Sequence, residues 1–235
     1  MQNNLLDTMF LLIDTASLPD IRRALELYPL AGVTTCPTII TREHRPFWEL
    51  LGEIRAIIGE DRMLHAQVIG RTAKEILQDA VALRDRVPGN FYVKVPVTLE
   101  GLKAMPLLRR EGIPFTATTI HTLPQAILAA EHGASFLAPY INHIEDEGIA
   151  GTEFIRQVVE YLERNRLPAK LLAASFRNTR QIMSVLTAGA HHATLAPELL
   201  WKLADSPMTD QAVEKFRQAW DETYGADKNL ANLDH

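Results

Sequence analysis

Short apolar runs alternate with helix-like segments along nearly the whole chain, and this alternation limits the fold more than any other feature. Strands that alternate with helices form parallel sheets with right-handed crossovers. Eight runs rich in Val, Ile and Phe are predicted as strands: Met9–Thr15, Gly32–Thr38, Met63–Ile69, Phe91–Val97, Pro114–Thr119, Ser135–Ile141, Leu171–Phe176 and Ala193–Ala196.

Capping signals mark helices between these runs. The predicted helices cover Asp20–Tyr28 after Ser17, Ile76–Val87 after a capping box at Thr72, a segment from Thr122 to Gly133, and a segment from Asn178 to Gly189. Eight strand–helix units of roughly 20 to 35 residues fill a (β/α)8 barrel. A doubly wound open sheet is the competitor, but it usually carries G-x-G-x-x-G in its first turn, and the sequence after Gly32 lacks this motif. We therefore predict one α/β TIM-barrel domain over residues 1–235, with an extra carboxyl-terminal helix.

Proline and the barrel geometry indicate where the site lies. Pro37, Pro96, Pro139 and Pro197 fall near the ends of the second, fourth, sixth and eighth runs. Proline cannot donate to a strand ladder, so each is expected to mark the end of its strand. The carboxyl ends of barrel strands form the catalytic face. Polar residues near these prolines are therefore candidates for function.

Composition and charge exclude several classes of partner. The chain has 24 Lys and Arg against 29 Asp and Glu, a net charge of −5, so no basic footprint for nucleic acid is expected. The longest apolar runs are too short to span a membrane, and Met1–Asn4 lacks the features of a secretory signal. The single cysteine, Cys36, fits a reducing compartment. These features predict a soluble, cytoplasmic protein.

Lys94 is the most informative residue of the sequence. It lies within the apolar run Phe91–Val97, where alternation places it on one face with Tyr92 and Pro96. Inside a barrel, loss of hydration favours a neutral amine, which attacks carbonyl carbons to form a Schiff base. The alternative is a structural lysine that reaches water at the strand end or pairs with Asp14.

Other polar side chains stand near the carboxyl ends of the remaining runs. They are Asp14, Thr34, Thr35, Gln67, Thr118, Tyr140 and Ser175. Any one of them suits a structural role, and Asp14 alone equally suits a cap on the next helix. Together, around one lysine, they predict a pocket for imine chemistry. Tyr140 is the candidate acid/base, Gln67 and Thr118 are candidates to hold a water, and Asp14 is a candidate to hold substrate hydroxyls.

No metal or other cofactor is required in this scheme. His143, Glu145 and Asp146 give a weak metal signal, and the rings of His191 and His192 should face opposite ways in a strand. His65 is expected to line the barrel below Gln67. Cys36 is interpreted as a wall of the pocket, because no histidine partner is evident in the sequence.

The motifs resemble those of a known family, the small transaldolases, and within it the fructose-6-phosphate aldolases. The resemblance extends from about Phe10 to Tyr224. Its motifs are Leu12–Thr15, Leu30–Thr35, Ala66–Val68, Val93–Thr98, Ala138–Asn142 and Ala173–Phe176. It implies a class I aldolase on a (β/α)8 barrel, without a cofactor, assembled as a homo-oligomer such as a pentamer or decamer. The predicted helix at about residues 209–224 would pack on a neighbouring subunit.

The resemblance also implies roles for single residues. Lys94 would be the Schiff-base lysine, Tyr140 the acid/base, and Ser175 part of the acceptor end. Gln67 and Thr118 would hold the catalytic water, and Asp14 would shape the donor site. True transaldolases tend to carry Glu and Phe at the positions of Gln67 and Tyr140, so the aldolase branch is favoured. A transaldolase and a non-catalytic barrel that binds sugar phosphates stay as alternatives, with a metal-dependent hydrolase third.

Two departures concern the substrate, a sugar or sugar phosphate. Cys36 replaces the family's usual Asn after Thr34-Thr35, which removes an amide from the donor site. His143 replaces the usual Arg that helps bind phosphate, and a neutral imidazole offers only one donor. Arg177 would compensate if its loop turned inward. The sequence leaves open whether the acceptor aldehyde is phosphorylated.

Overall fold

Eight parallel strands close into a barrel in the computed structural model of the protein, which describes residues 9–233. Each strand pairs with the next along the chain, and β8 pairs with β1. The strands are β1 (Leu11–Asp14), β2 (Leu30–Thr34), β3 (Met63–Gln67), β4 (Phe91–Pro96), β5 (Phe115–Ile120), β6 (Phe136–Pro139), β7 (Lys170–Ala173) and β8 (His192–Leu195). The predicted TIM barrel is confirmed.

Helices connect successive strands and cover the outside of the barrel. They are α1 (Leu18–Leu27), α2 (Pro37–Arg42), α3 (Phe47–Ile58), α4 (Ala73–Arg86), α5 (Leu99–Arg110), α6 (Leu123–Glu131), α7 (Ile141–Asp146), α8 (Gly151–Asn165), α9 (Thr179–Thr187), α10 (Pro197–Trp201) and α11 (Pro207–Tyr224). None of these helices, within the described range, is both long and apolar enough to cross a membrane. Met1–Asn4, which bears on the expected lack of a secretory signal, lies outside the described residues.

The predicted helix starts are confirmed by side-chain caps. Ser17 accepts a hydrogen bond from the backbone N–H of Asp20, and Asn178 accepts one from Gln181. Thr72 and Thr122 each take part in a reciprocal capping box. A capping side chain satisfies a backbone donor that has no partner within the helix. Local sequence therefore sets where these helices begin, and the observed ends differ by a few residues from the predicted ones.

Two of the four prolines do not mark strand ends, which corrects the prediction. Pro96 and Pro139 are the last residues of β4 and β6. Pro37, however, is the first residue of α2, three residues beyond the end of β2, and Pro197 is the first residue of α10. The φ angle of proline suits the first turn of a helix as well as the end of a strand. The predicted second strand, Gly32–Thr38, therefore ends too late.

Alternation along the strands fills the barrel with side chains in layers. The rings of His65, Tyr92 and Phe136 pack against one another with centroids 4.9–5.3 Å apart. Leu12 and Leu172 belong to the same buried cluster as Phe136. On β4 the layer contains Tyr92, two residues before Lys94 on the same face, so it forms the floor beneath the carboxyl ends of the strands.

The chain divides into two compact units, one that ends at Leu200 and one that begins at Trp201. The second unit contains α11 and the residues after it. In this unit the indole ring of Trp220 contacts the ring of Tyr224 at a tilt of 45°, with ring centroids 4.6 Å apart, and Trp220 Nε1 donates to the carbonyl of Lys228. The predicted helix over residues 209–224 is present as α11, whereas the single domain over residues 1–235 stays a prediction.

Gly32→Ala is expected to destabilise the barrel by at least about 2 kcal/mol. A Cβ at Gly32 would stand 2.1 Å from the carbonyl oxygen of Met63 on the neighbouring strand, and this backbone atom cannot move without distorting the sheet. The matched control is Gly52→Ala in α3, where a Cβ meets nothing within 4 Å and should stabilise the helix by about 0.5–1 kcal/mol. Urea unfolding of both variants measures the difference, and equal midpoints would contradict the expectation.

Candidate active site

A cavity of about 160 Å³ opens at the carboxyl ends of the strands. Six of the predicted site residues line it: Asp14, Thr34, Cys36, Lys94, Tyr140 and Ser175. Thr194 adds a hydroxyl, and Ala138, Leu172 and Ala174 add apolar wall. The cavity therefore joins one amine, one carboxylate and several hydroxyl groups that come from six different strands or the loops after them.

Lys94 lies at the inner face of β4 and is only 6% exposed. Its Nζ donates a hydrogen bond to the carbonyl of Thr35 at 2.8 Å. That carbonyl belongs to the segment just after β2, so barrel closure rather than local sequence supplies the partner. An amine held by a single neutral acceptor, at the wall of a cavity, has room to meet an incoming carbonyl carbon.

Asp14 is held by a chain of hydroxyl groups. Thr34 Oγ1 donates to Asp14 Oδ1 at 2.5 Å, and Thr34 Oγ1 lies 2.6 Å from Thr194 Oγ1. These side chains come from three adjacent strands. Asp14 on β1 and Thr34 on β2 are register partners, and β8, which carries Thr194, pairs with β1 on its other side. The helix that follows β1 is capped by Ser17, so Asp14 is not its cap. The carboxylate faces the cavity as an acceptor for hydroxyl groups.

Thr194 was not predicted as a site residue. It lies within a predicted strand, where threonine is common because its branched side chain suits a strand. The signal that finds it is alternation, because Thr194 shares the inner face of β8 with His192.

Tyr140 lies between the end of β6 and the start of α7. Its ring contacts the ring of His121 edge to face, with centroids 5.5 Å apart, and that of His143 at 5.7 Å. His121 and His143 stack at 5.3 Å, and His143 Nδ1 lies 3.3 Å from Ser175 Oγ. His143 is thus connected to the cavity through Ser175 and Tyr140, although it is not one of the residues that line it.

Gln67 and Thr118 lie on β3 and β5, the two strands that pair with β4. Gln67 is the register partner of Lys94, and Thr118 that of Pro96. Neither lines the 160 Å³ cavity. Gln67 instead contributes to a second cavity of about 190 Å³ with Phe47 and Trp48. Thr118 is fully buried, and its Oγ1 has no hydrogen-bond partner. A buried hydroxyl in this state is suited to bind a water or a substrate atom.

Arg177 does not line the cavity, because its guanidinium forms an ion pair with Asp146. Its two terminal nitrogens each lie 3.1 Å from an oxygen of Asp146. Glu145 accepts a hydrogen bond from Gln181, so the three residues of the weak metal signal have separate partners. Within residues 9–233, no group of three or more His, Cys, Asp or Glu side chains is arranged to hold a metal ion.

Two neutral histidines lie in the floor below the cavity. Burial holds the pKa of His65 well below its usual range, and the nearby charge of Lys94 lowers it further. Burial also lowers the pKa of His192 to about 4. His65 Nδ1 lies 2.8 Å from Thr116 Oγ1. Because both rings stay uncharged near neutral pH, the floor adds no competing cation beneath Lys94.

The backbone at the cavity rim is strained at two places. Thr119 has a φ of 60° and Ser175 a φ of 59°, in the left-handed region that non-glycine residues seldom adopt. Thr119 lies where the pairing of β5 with β6 shifts register. Such strain is often found at functional sites. Ser175 itself lines the cavity, and Thr119 follows the candidate residue Thr118, so the strain lies at or next to the candidate site.

Comparison with known proteins identifies the family of the chain and finds solved structures with a similar fold. Residues 11–234 match the family described as Transaldolase/Fructose-6-phosphate aldolase. A solved structure of a mandelate oxidase mutant with a monooxide FMN adduct has a TM-score of 0.57 and 15% identity, over 94% of this chain and 80% of that one. A thiamine phosphate pyrophosphorylase from Pyrococcus furiosus has a TM-score of 0.58 and 17% identity, over 93% and 98%. At such low identity these structural likenesses concern the fold alone.

Proposed function

The chain belongs to the transaldolase/fructose-6-phosphate aldolase family, and on that premise we propose that it is a class I aldolase in which Lys94 forms an imine with a dihydroxyacetone-type donor. The family consists of enzymes of the aldolase and transaldolase type. The acceptor is an aldehyde such as glyceraldehyde 3-phosphate by resemblance, and the product carries a new carbon–carbon bond. No cofactor takes part in the proposed reaction.

The observation that carries the proposal is the buried amine of Lys94 at the wall of a cavity lined with hydroxyl groups and one carboxylate. A carbonyl compound with several hydroxyl groups has hydrogen-bond partners in such a cavity. The amine supplies the nucleophile for its carbonyl carbon. The rings of His65, Tyr92 and Phe136 lie beneath the cavity and exclude bulk water from that side, which limits side reactions of the imine.

The proposed reaction is balanced without a co-reactant. The neutral amine of Lys94 adds to the ketone carbon, and the resulting carbinolamine loses its hydroxyl as water to give an iminium ion. Loss of a proton from the adjacent carbon gives an enamine, whose carbon adds to the aldehyde carbon while the aldehyde oxygen takes up a proton. Water then adds to the iminium carbon, and the ketone product and the free amine separate.

The surrounding groups fit the proton transfers of this sequence. Tyr140 is the proposed acid/base, acting directly or through a water on the aldehyde oxygen and the carbinolamine hydroxyl. The unpaired Oγ1 of Thr118, together with Gln67, is proposed to hold that water. Asp14, oriented by Thr34, accepts hydrogen bonds from the donor hydroxyls, next to Cys36.

Reduction with borohydride in the presence of dihydroxyacetone tests the proposal. Borohydride converts an imine into a stable secondary amine, so mass mapping should find one adduct, on the peptide that contains Lys94. An adduct on another lysine, or none, would contradict the mechanism. The transaldolase alternative is tested in the same preparation, because release of free dihydroxyacetone from fructose 6-phosphate supports an aldolase. Efficient transfer to erythrose 4-phosphate with little release would support a transaldolase.

Phe216→Asp is expected to convert a homo-oligomer, a pentamer or decamer by resemblance, into smaller species. No residue of α11 is buried, and the helix exposes Met208, Val213 and Phe216. We propose that this apolar face packs on a neighbouring subunit, where a buried carboxylate would be costly. The matched control, Gln218→Asp, adds the same charge about 200° around the helix. Light scattering on a sizing column measures the mass, and a monomeric parent protein would contradict the proposal.

A further inference from the structure

Two histidine rings, those of His121 and His143, stack on each other and contact the ring of Tyr140, although neither lines the 160 Å³ cavity. We propose that His121 and His143, here called the imidazole pair, bind the acceptor aldehyde together with Ser175 and select one that carries hydroxyl groups but no phosphate. This inference rests on the proposed aldolase function and names the class of its second substrate. His121 was not predicted as a site residue, and only His143 was expected to contact the acceptor.

The imidazole pair comes from two successive strand–helix connections, the one after β5 and the one after β6. His121 directly follows β5, and its backbone N–H donates to Gln125 Oε1 at 2.9 Å, an atom that also takes part in the cap of α6. His143 lies in α7, and its Nδ1 lies 3.3 Å from Ser175 Oγ. The two rings stack at 5.3 Å, and both contact the ring of Tyr140. The pair is therefore adjacent to the proposed acid/base, where the aldehyde must lie.

His121 has an unused hydrogen-bonding atom. Its Nε2 is buried and has no hydrogen-bond partner in the structure, and unpaired buried nitrogens are uncommon in native proteins. Partial burial and the neighbouring His143 both lower the pKa of His121, against an opposing effect of Glu147. A neutral imidazole offers one donor and one acceptor. That pattern matches a hydroxyl group, which both donates and accepts.

The charges around the imidazole pair oppose a phosphate group. Residues 140–150 contain Glu145, Asp146 and Glu147 but no Lys or Arg. Arg177 is the only Lys or Arg in residues 174–178, and its guanidinium is occupied by both oxygens of Asp146. Asp146 also accepts from Asn142 Nδ2 at 3.0 Å, which stabilises this arrangement. A phosphate dianion beside the imidazole pair would meet these carboxylates, while the guanidinium of Arg177 is engaged by Asp146.

The test compares two acceptors with dihydroxyacetone as the common donor. We expect kcat/KM for D-glyceraldehyde to exceed that for glyceraldehyde 3-phosphate in the parent protein. His121→Arg and His143→Arg each place a guanidinium beside the acceptor and should shift the ratio at least about tenfold toward the phosphorylated aldehyde. His121→Asn keeps a donor and an acceptor without the ring and should retain the preference of the parent protein. His132→Arg, at the carboxyl end of α6, adds the same charge elsewhere and should leave the ratio unchanged.

Borohydride trapping with dihydroxyacetone is measured on the same preparations, which separates the two proposals. If Lys94 is trapped but the parent protein prefers glyceraldehyde 3-phosphate, the inference is overturned and the aldolase function stands. If trapping succeeds but neither Arg variant changes the ratio more than His132→Arg does, the imidazole pair does not bind the acceptor. If no adduct forms on Lys94, the proposed function fails, and the inference fails with it.

Discussion

Lys94→Met is expected to lower the rate of carbon–carbon bond cleavage by about 10⁴-fold or more, as loss of a covalent nucleophile does in other enzymes. The amine of Lys94 is the nucleophile in the proposed mechanism, and no other lysine lines the 160 Å³ cavity in the described part of the chain. Methionine has a similar length, so it fills the same space without an amine. Release of dihydroxyacetone from fructose and from fructose 6-phosphate measures the rate, and borohydride trapping reports the imine.

The matched control for this prediction is Lys103→Met. Lys103 is exposed on α5, where it pairs with Glu100, so its loss should leave both activity and trapping unchanged. Lys94→Arg adds a second check, because it keeps a positive charge but removes the nucleophile. Activity in Lys94→Arg close to that of the parent protein would refute the imine mechanism. Substitution of Lys94 removes the hydrogen bond from its Nζ to the carbonyl of Thr35, so we expect each variant to keep the barrel. Circular dichroism measures whether it does.

Tyr140→Phe is expected to lower the rate of cleavage by about 10²- to 10⁴-fold, the usual contribution of a positioned acid/base. The substitution removes one hydroxyl and keeps the ring that contacts His121 and His143. The imine with dihydroxyacetone should still form on Lys94 at equilibrium because the amine stays in place, although it should form more slowly without the group that protonates the carbinolamine hydroxyl. Trapping that persists while turnover is lost would assign Tyr140 to the proton transfers that accompany carbon–carbon bond cleavage.

Tyr161→Phe is the control for the loss of a tyrosine hydroxyl. Tyr161 lies on α8, where its hydroxyl donates to Glu131 at the protein surface, so turnover should not change. A loss of less than about tenfold in Tyr140→Phe would exclude Tyr140 as the main acid/base. The unpaired hydroxyl of Thr118 would then be the next group to substitute.

Much of the barrel and part of the site follow from local sequence patterns. Alternation in Phe91–Val97 correctly places Lys94 on the inner face of β4, because strand side chains point to opposite sides in turn. The position of Asp14, Thr34 and Tyr140 near the carboxyl ends of their predicted strands likewise indicates that they share one cavity. The prediction that proline marks the strand ends is wrong for Pro37 and Pro197, which begin helices instead. Proline suits both positions, so its presence alone does not distinguish them.

Other features of the site depend on contacts between distant parts of the chain. In the sequence, Thr194 is an ordinary strand residue. In the closed barrel, β8 lies beside β1, and this brings the hydroxyl of Thr194 to that of Thr34. His121 is one residue between a strand and a helix cap, and its importance appears only through its ring contacts with Tyr140 and His143. Neither residue carries a local motif, so sequence patterns had no signal for them beyond the inner-face position of Thr194.

The sequence by itself determined the order of strands and helices, the inward face of each strand and the presence of one lysine among apolar neighbours. These are properties of consecutive residues, set by the period of the side chains and by local caps. Only the tertiary structure decided which acceptor holds Lys94, that Asp14 bonds to Thr34, and that Arg177 is engaged by Asp146. Such pairs lie far apart in the chain, and closure of the barrel brings them together because it sets strand register and neighbours.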